Sequence, residues 1–257
     1  MVLIQLIGGP TALLEVDGLR LVTDPTFDQP GDYPRPNAPT LVKLTGPAVA
    51  ADEMARADVV LLSHDQHADN LDQSGLAYLG RVPLTLTTPS GAGRLAGDGV
   101  TVRGMAPWEH VDLPRPGRGL VRVTAVPARH GPEGCEPFTG EVTGFVLSGA
   151  GVPTVYVSGD NSSLDVVRDV AERCGPVDVA LLFAGAGVVP PLEAVLTLTG
   201  GEAAEASVIL GSPHVVVIHA DGWTHFTEGR TEIEAAFERA GLQNRLNVLA
   251  PGAVVTL

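Results

Sequence analysis

The chain has 257 residues and a formal charge of −14, from 16 basic and 30 acidic side chains. Such an acidic surface repels phosphate backbones and anionic lipid, which sets nucleic acid and membrane aside as partners and favours a small-molecule substrate, with homo-oligomerisation left open. Hydrophobic residues at 44% and charged residues at 18% exclude global disorder, and an aromatic share of 4% leaves the core to Val, Leu and Ala.

Strand signals dominate the start. Residues 2–7 read as a strand, and 12–16 with 19–23 as a hairpin, because Asp17-Gly18 supplies the positive φ angles of a type I′ turn. Residues 25–40 are rich in Pro, Gly and Asp and predict a long surface loop. The continuous apolar run 58–63 predicts a strand buried on both faces. Residues 121–126 alternate as a strand with one solvated face does, and 141–148 with 153–158 predict a second hairpin. A helix follows over 164–174, with Ser162 and Asp165 resembling a capping box and Gly175-Pro176 as its stop. Residues 177–183 and 215–219 read as strands and 201–210 as a helix. A last helix over 231–241 has a T-x-x-E start and turns Ile233, Phe237 and Ala240 inward. No repeat or flexible linker divides the chain, so one α/β domain over 1–257 is expected. Cys135 and Cys174 form no C-x-x-C pair, the first residues carry no basic leader, and no apolar run reaches the roughly 18 residues of a bilayer span. A soluble cytoplasmic protein is the expectation.

The chemistry concentrates after the buried strand, in Ser63-His64-Asp65-Gln66-His67-Ala68-Asp69-Asn70-Leu71-Asp72, where two histidines and three carboxylates share nine residues. Imidazole nitrogen and carboxylate oxygen are the usual ligands of Zn²⁺ and similar ions in catalytic sites, and a strand end is a rigid mount for them. A polar turn capping a helix through Asp69 or Asn70 would give the same loop. His130, Asp160 and His219 tip the balance, since each stands where another apolar strand stops. His110 and His214 read as structural or packing residues, whereas His225 lies just past a ligand-type residue and is placed at the substrate pocket.

This ordered set resembles the metallo-β-lactamase superfamily, whose pattern is an S-H-x-H-x-D-H loop followed by a His, a bridging Asp and a final His. It is most similar to the branch of the ascorbate-6-phosphate lactonases and N-acyl-phosphatidylethanolamine phospholipases. Gly9-Pro10-Thr11-Ala12-Leu13-Leu14-Glu15, Leu21-Val22-Thr23-Asp24-Pro25, Ala106-Pro107-Trp108-Glu109 and Val126-Pro127-Ala128-Arg129-His130 carry that likeness. The resemblance implies a four-layer αβ/βα sandwich with its site at one edge between two sheets. It implies one or two divalent ions, Zn or Mn. His64, His67 and His130 would hold the first, Asp160 would bridge, and Asp69 with His219 would hold the second.

Two departures stand out: Asp65 and Gln66 separate the histidines where the family has one residue, and Asn70 replaces a ligand His, with Asp65 near enough in sequence to substitute. The implied activity is hydrolysis of a lactone, ester or phosphodiester by metal-bound hydroxide, with Asp69 orienting the hydroxide and His225 beside it. Asp24 is a candidate acceptor behind a ligand His, and Arg129 a candidate contact for a substrate phosphate. An iron-dependent redox enzyme on the same fold and a non-catalytic metal-binding protein are the alternatives.

Overall fold

The structure, a computed structural model, describes residues 1–35, 38–97, 99–116 and 119–257. One seven-stranded sheet is built from β1 (Val2–Gly8), β2 (Thr11–Val16), β3 (Leu19–Thr23), β6 (Val59–Leu61), β7 (Thr85–Thr87), β8 (Val102–Gly104) and β16 (Val254–Thr256), in the order β16-β1-β2-β3-β6-β7-β8. A second seven-stranded sheet runs β15-β14-β13-β12-β11-β10-β9. Its strands are β9 (His110–Pro114), β10 (Leu120–Pro127), β11 (Thr143–Gly149), β12 (Val152–Val157), β13 (Val179–Phe183), β14 (His214–Ile218) and β15 (Leu246–Asn247). Each sheet is antiparallel on one side and parallel on the other. Strands β3, β6, β7 and β8 run parallel in the first, and β12, β13, β14 and β15 in the second.

Three apolar layers fix the stacking. Ile4, Leu14, Leu21 and Leu61 of the first sheet pack against Val123, Phe145, Leu181 and Phe183 of the second. Outside the first sheet, Val60 and Leu62 pack on Tyr78 and Leu79 of α1 (Gln73–Leu79) and Leu95 of α2 (Pro89–Leu95). Beyond the second sheet, Tyr156 and Leu182 meet Val167 and Val170 of α4 (Leu164–Cys174), Ala203 of α5 (Gly200–Ile209) and Phe237 of α6 (Arg230–Arg239). The order is helix, sheet, sheet, helix, which is the expected sandwich. A further short helix, α3 (Glu136–Thr139), lies outside these layers.

The Asp17-Gly18 turn has φ of 49° and 84°, as its sequence requires. Residues 25–30 of the expected loop are irregular, but its second half is a two-stranded ribbon, β4 (Gly31–Arg35) with β5 (Ala38–Lys43); residues 36 and 37 of that expectation lie outside the described residues. Prolines on a ribbon without a third strand cost no ladder bonds, so Pro content signalled a loop where a strand pair forms. Helix α4 is capped by Ser163, whose side chain accepts from the Val166 amide, rather than by Ser162. Helix α6 starts at Gly229, where the Glu232 carboxylate accepts from the Gly229 amide at 2.9 Å, rather than at Thr231. Ala236, not Ala240, joins Ile233 and Phe237 in its buried face. No described helix is long and apolar enough to cross a membrane.

Candidate metal centre

Parallel pairing delivers the ligand-type residues to one edge. Asp24 follows β3 and His64 follows β6, which run side by side; Asp160 follows β12 and His219 follows β14, which run parallel through β13. Strand β10 lies antiparallel to β11 and β11 to β12, so β10 points the same way and brings His130 to that edge. Gly159 lets the sheets close here: at φ +57°, a Cβ would sit 2.6 Å from the Thr143 carbonyl oxygen and 2.8 Å from Ser63 Cβ.

His64, His67, His130 and Asp160 each offer one ligand atom, and these atoms lie within 4.8 Å of one another. The three ring centroids are 4.8–5.4 Å apart. A chain of hydrogen bonds sets the tautomer of His64. The Asp24 carboxylate accepts from the Ser63 amide at 2.6 Å and from Ser63 Oγ–H at 2.5 Å. Ser63 Oγ then accepts from His64 Nδ1, 3.0 Å away, so the His64 Nε2 lone pair faces His67 Nδ1 at 2.9 Å. Asp24 therefore acts on His64 through Ser63 rather than touching the ring. On His130, Nδ1–H donates to the Leu196 carbonyl at 2.7 Å, which leaves its Nε2 lone pair 3.5 Å from Asp160 Oδ2.

The electrostatics suit a cation. Burial and the neighbouring His67 hold the His64 pKa well below the usual imidazole range. Burial and His130 bring His67 down to about 4, so both rings are neutral ligands at physiological pH. Burial alone would raise Asp160, but the adjacent His219 and His130 rings outweigh it and keep the carboxylate ionised. Neutral imidazoles facing one another around an ionised carboxylate are the donor set of a divalent metal site.

The remaining carboxylate and histidines form a second group beside the first. His219 lies between two acids, with Nδ1 2.9 Å from Asp160 Oδ1 and Nε2 3.4 Å from Asp69 Oδ2. It is desolvated, yet the Asp160 and Asp69 charges lift its pKa to about 10. It holds a left-handed φ of 56°, a costly backbone for a non-glycine residue. His225 Nε2 is 3.0 Å from Asp69 Oδ2. Burial would raise Asp69, and hydrogen bonds from His219 and His225 instead hold it well below the carboxylate range. Asp69 Oδ1, Asn70 Oδ1 and His225 Nδ1 are buried without hydrogen-bond partners.

Asn70 donates from Nδ2 to Asp24 Oδ2 at 3.0 Å and to Asp160 Oδ1 at 3.3 Å, so it supports carboxylates where the family places a ligand His. Asp65 does not fill that gap, because Arg94 holds both its oxygens at 2.6 and 2.7 Å. The N-cap of α1 is Asp72, so neither Asp69 nor Asn70 is spent on capping. Arg129 lines a separate hollow with Ser162 and Glu202. The cavity over the histidines is instead lined by Arg35, with apolar walls from Leu41, Phe138, Val189, Leu192 and Phe226. His225 lines it too, whereas His110 is exposed on β9 and His214 is half-buried at the start of β14. Sequence reasoning missed Ser63, the Leu196 carbonyl and Arg35. Ser63 had a signal, as a hydroxyl adjacent to His64, but the Leu196 contact spans 66 residues and uses only backbone.

Residues 19–220 match the beta-lactamase superfamily domain. A metal-dependent hydrolase of Pyrococcus furiosus is 28% identical over 137 residues, covering 53% of this chain and 56% of that protein, so the chain spans about half of that relative's length. A possible metal-dependent hydrolase of Veillonella parvula superposes over 100% of both chains with a TM-score of 0.85 at 17% identity. An isothiocyanate hydrolase from Delia radicum gut bacteria superposes over 99% of this chain and 98% of that one, with a TM-score of 0.83 at 17% identity. Identities this low carry the fold alone. With a domain match that runs from β3 to just past His219, and with the two-sheet sandwich around it, the chain belongs to the beta-lactamase superfamily and has the metallo-β-lactamase fold.

Proposed function

We propose that this protein is a metal-dependent hydrolase of a small molecule, in which His64, His67, His130 and Asp160 hold a divalent cation. The observation that carries this reading is their convergence within 4.8 Å as buried or half-buried donors from three strand ends. When bound there, Zn²⁺ or Mn²⁺ lowers the pKa of a coordinated water to about 7 and polarises the oxygen of an electrophile. Asp69 is ionised, lines the cavity and has a buried oxygen without a partner, which suits it to orient the attacking water and take its proton. His225 steadies the other oxygen of Asp69 and shares that cavity wall, so it gives the proton a way toward the leaving group. No Ser or Cys nucleophile is needed. Similarity of the opening motifs to the lactonase and phospholipase branch supports a lactone, ester or phosphodiester as the bond cleaved.

Asp160, Asp69 and His219 are proposed as the ligands of a second, weaker site. Asn70 gives that site a donor to Asp160 where a ligand is wanted, and an amide oxygen is a poor zinc ligand. Calorimetric titration of chelated protein with Zn²⁺ should show one tight event and a second that is much weaker or missing. Asn70→His should strengthen the second. Two equally tight sites in the wild type would remove the asymmetry, and no tight event would remove the metal centre. Chelation should abolish turnover of a 4-nitrophenyl ester, which separates a hydrolase from a non-catalytic metal binder.

A further inference from the structure

We infer that the substrate is a compact apolar ester or lactone carrying one carboxylate away from the scissile bond, and that Arg35 receives this carboxylate; the inference rests on the hydrolase reading above. The cavity over the metal centre encloses about 780 Å³ including its open mouth, the size of a small-molecule site. Leu41, Phe138, Val189, Leu192, Leu196 and Phe226 give it an apolar wall. Arg35 is the only Lys or Arg among the described residues lining it.

This arginine is placed to bind rather than to solubilise. Its Nε and Nη2 donate to the Pro39 carbonyl at 2.9 and 2.8 Å, which fixes one edge of the guanidinium and leaves Nη1. Among the described residues no carboxylate lies within ion-pair distance of it, although the chain carries 30 acids against 16 bases. The ribbon that presents it is braced to the metal loop. Lys43 Nζ reaches Asp72 at 2.9 Å, and Tyr33 packs on Trp223 at 5.2 Å between centroids. A guanidinium on a fixed support matches a carboxylate through charge-assisted hydrogen bonds.

Charge balance sets the number. Arg35 brings one positive charge to the described wall, and among the described residues no carboxylate pairs with it. A carboxylate matches that charge. A phosphate monoester, with close to two charges at neutral pH, finds no second Lys or Arg on the described lining.

Mono-4-nitrophenyl glutarate and 4-nitrophenyl valerate test this, because their acyl chains differ only in a terminal carboxylate against a methyl. Metal-loaded wild type should show a KM for the glutarate lower by about ten-fold or more, the value of one charge-assisted hydrogen bond. The difference should shrink with added salt. Arg35→Gln should lose the preference through KM rather than kcat, and Arg35→Lys should regain part of it. Equal KM values in the wild type, or a preference that survives Arg35→Gln, would overturn the inference while leaving the hydrolase intact. Failure to hydrolyse either ester in a metal-dependent way would remove the hydrolase reading and this inference with it.

Discussion

His67 stands at the cavity wall with a pKa brought down to about 4 by burial and by His130 beside it. In metal-free protein that depression has a sign. Between about pH 6.5 and 4 the unfolded chain binds a proton at this position that the folded chain refuses, so stability falls as pH falls through that window. Asp24 works the other way. Its carboxyl is raised to about 7 by burial, so the stabilisation from its extra proton is present below its ordinary value near 3.8 and is lost as pH rises through 7. The difference between wild type and His67→Ala isolates the histidine. Acidification from pH 7.5 to 5.5 with chelator present should cost the wild type about 1 kcal/mol more than His67→Ala in urea denaturation. Parallel profiles would show that the ring is not held neutral.

Asp160 makes a second case at this scale. Carboxylates crowded at one site repel, but the His219 ring lies between Asp160 and Asp69, so one of the two charges is already balanced in the metal-free cluster and Asp160 has a buried partner. Asp160→Ala in chelated protein should therefore destabilise by about 3 kcal/mol, as removal of one partner from a buried ion pair does, and should also abolish tight Zn²⁺ binding. Unchanged stability in urea, with tight binding retained, would return Asp160 to an ordinary turn residue. The ligand-type residues themselves were legible because a strand end is legible. The function of Asn70 as a donor to two carboxylates was not, because it depends on partners 46 and 90 residues away.

At the scale of elements, two helix caps lie one residue after and two residues before their expected positions, at Ser163 rather than Ser162 and at Gly229 rather than Thr231. Thr231 was the expected cap of α6, yet Glu232 makes the capping hydrogen bond to Gly229. Thr231→Ala should leave thermal stability nearly unchanged, and Glu232→Ala should cost about 0.5–1 kcal/mol; the reverse order would reinstate the threonine. Helix α1 depends on a close approach that sequence does not announce. A Cβ on Gly75 would lie 1.8 Å from the Pro25 carbonyl oxygen, next to Asp24, so Gly75→Ala must push α1 away from the metal loop. Overpacking of that kind costs about 1–3 kcal/mol, and it should also weaken Zn²⁺ affinity because Asp24 moves with Pro25. A variant with wild-type affinity and stability would mean that the helix shifts freely. The ribbon β4–β5 escaped sequence reading for a related reason. Its end is anchored by Lys43, the one lysine of the chain, which is buried on Asp72, and no composition rule places a lysine there.

For the whole molecule, the two-sheet sandwich was accessible because its strands are short apolar runs and its first and last helices on the second sheet carry clear stops. The edge strands β8, β9, β15 and β16 are three-residue or half-exposed segments with little hydrophobic signal of their own. They form because a neighbouring strand offers a ladder, which is information held in the fold rather than in their sequence. The same global logic assembles the candidate metal site: His64, His130 and Asp160 follow strands in two different sheets, and only the packed sandwich brings them together. Metal content is therefore the most direct test of a centre built on these residues. Elemental analysis should be run on wild type and His130→Ala, both purified without added metal or chelator and both checked for folding by circular dichroism. About one equivalent of a divalent transition metal is expected in the wild type, with little in folded His130→Ala. A metal-free wild type, or a His130→Ala protein that keeps its full complement, would contradict a centre built on these residues.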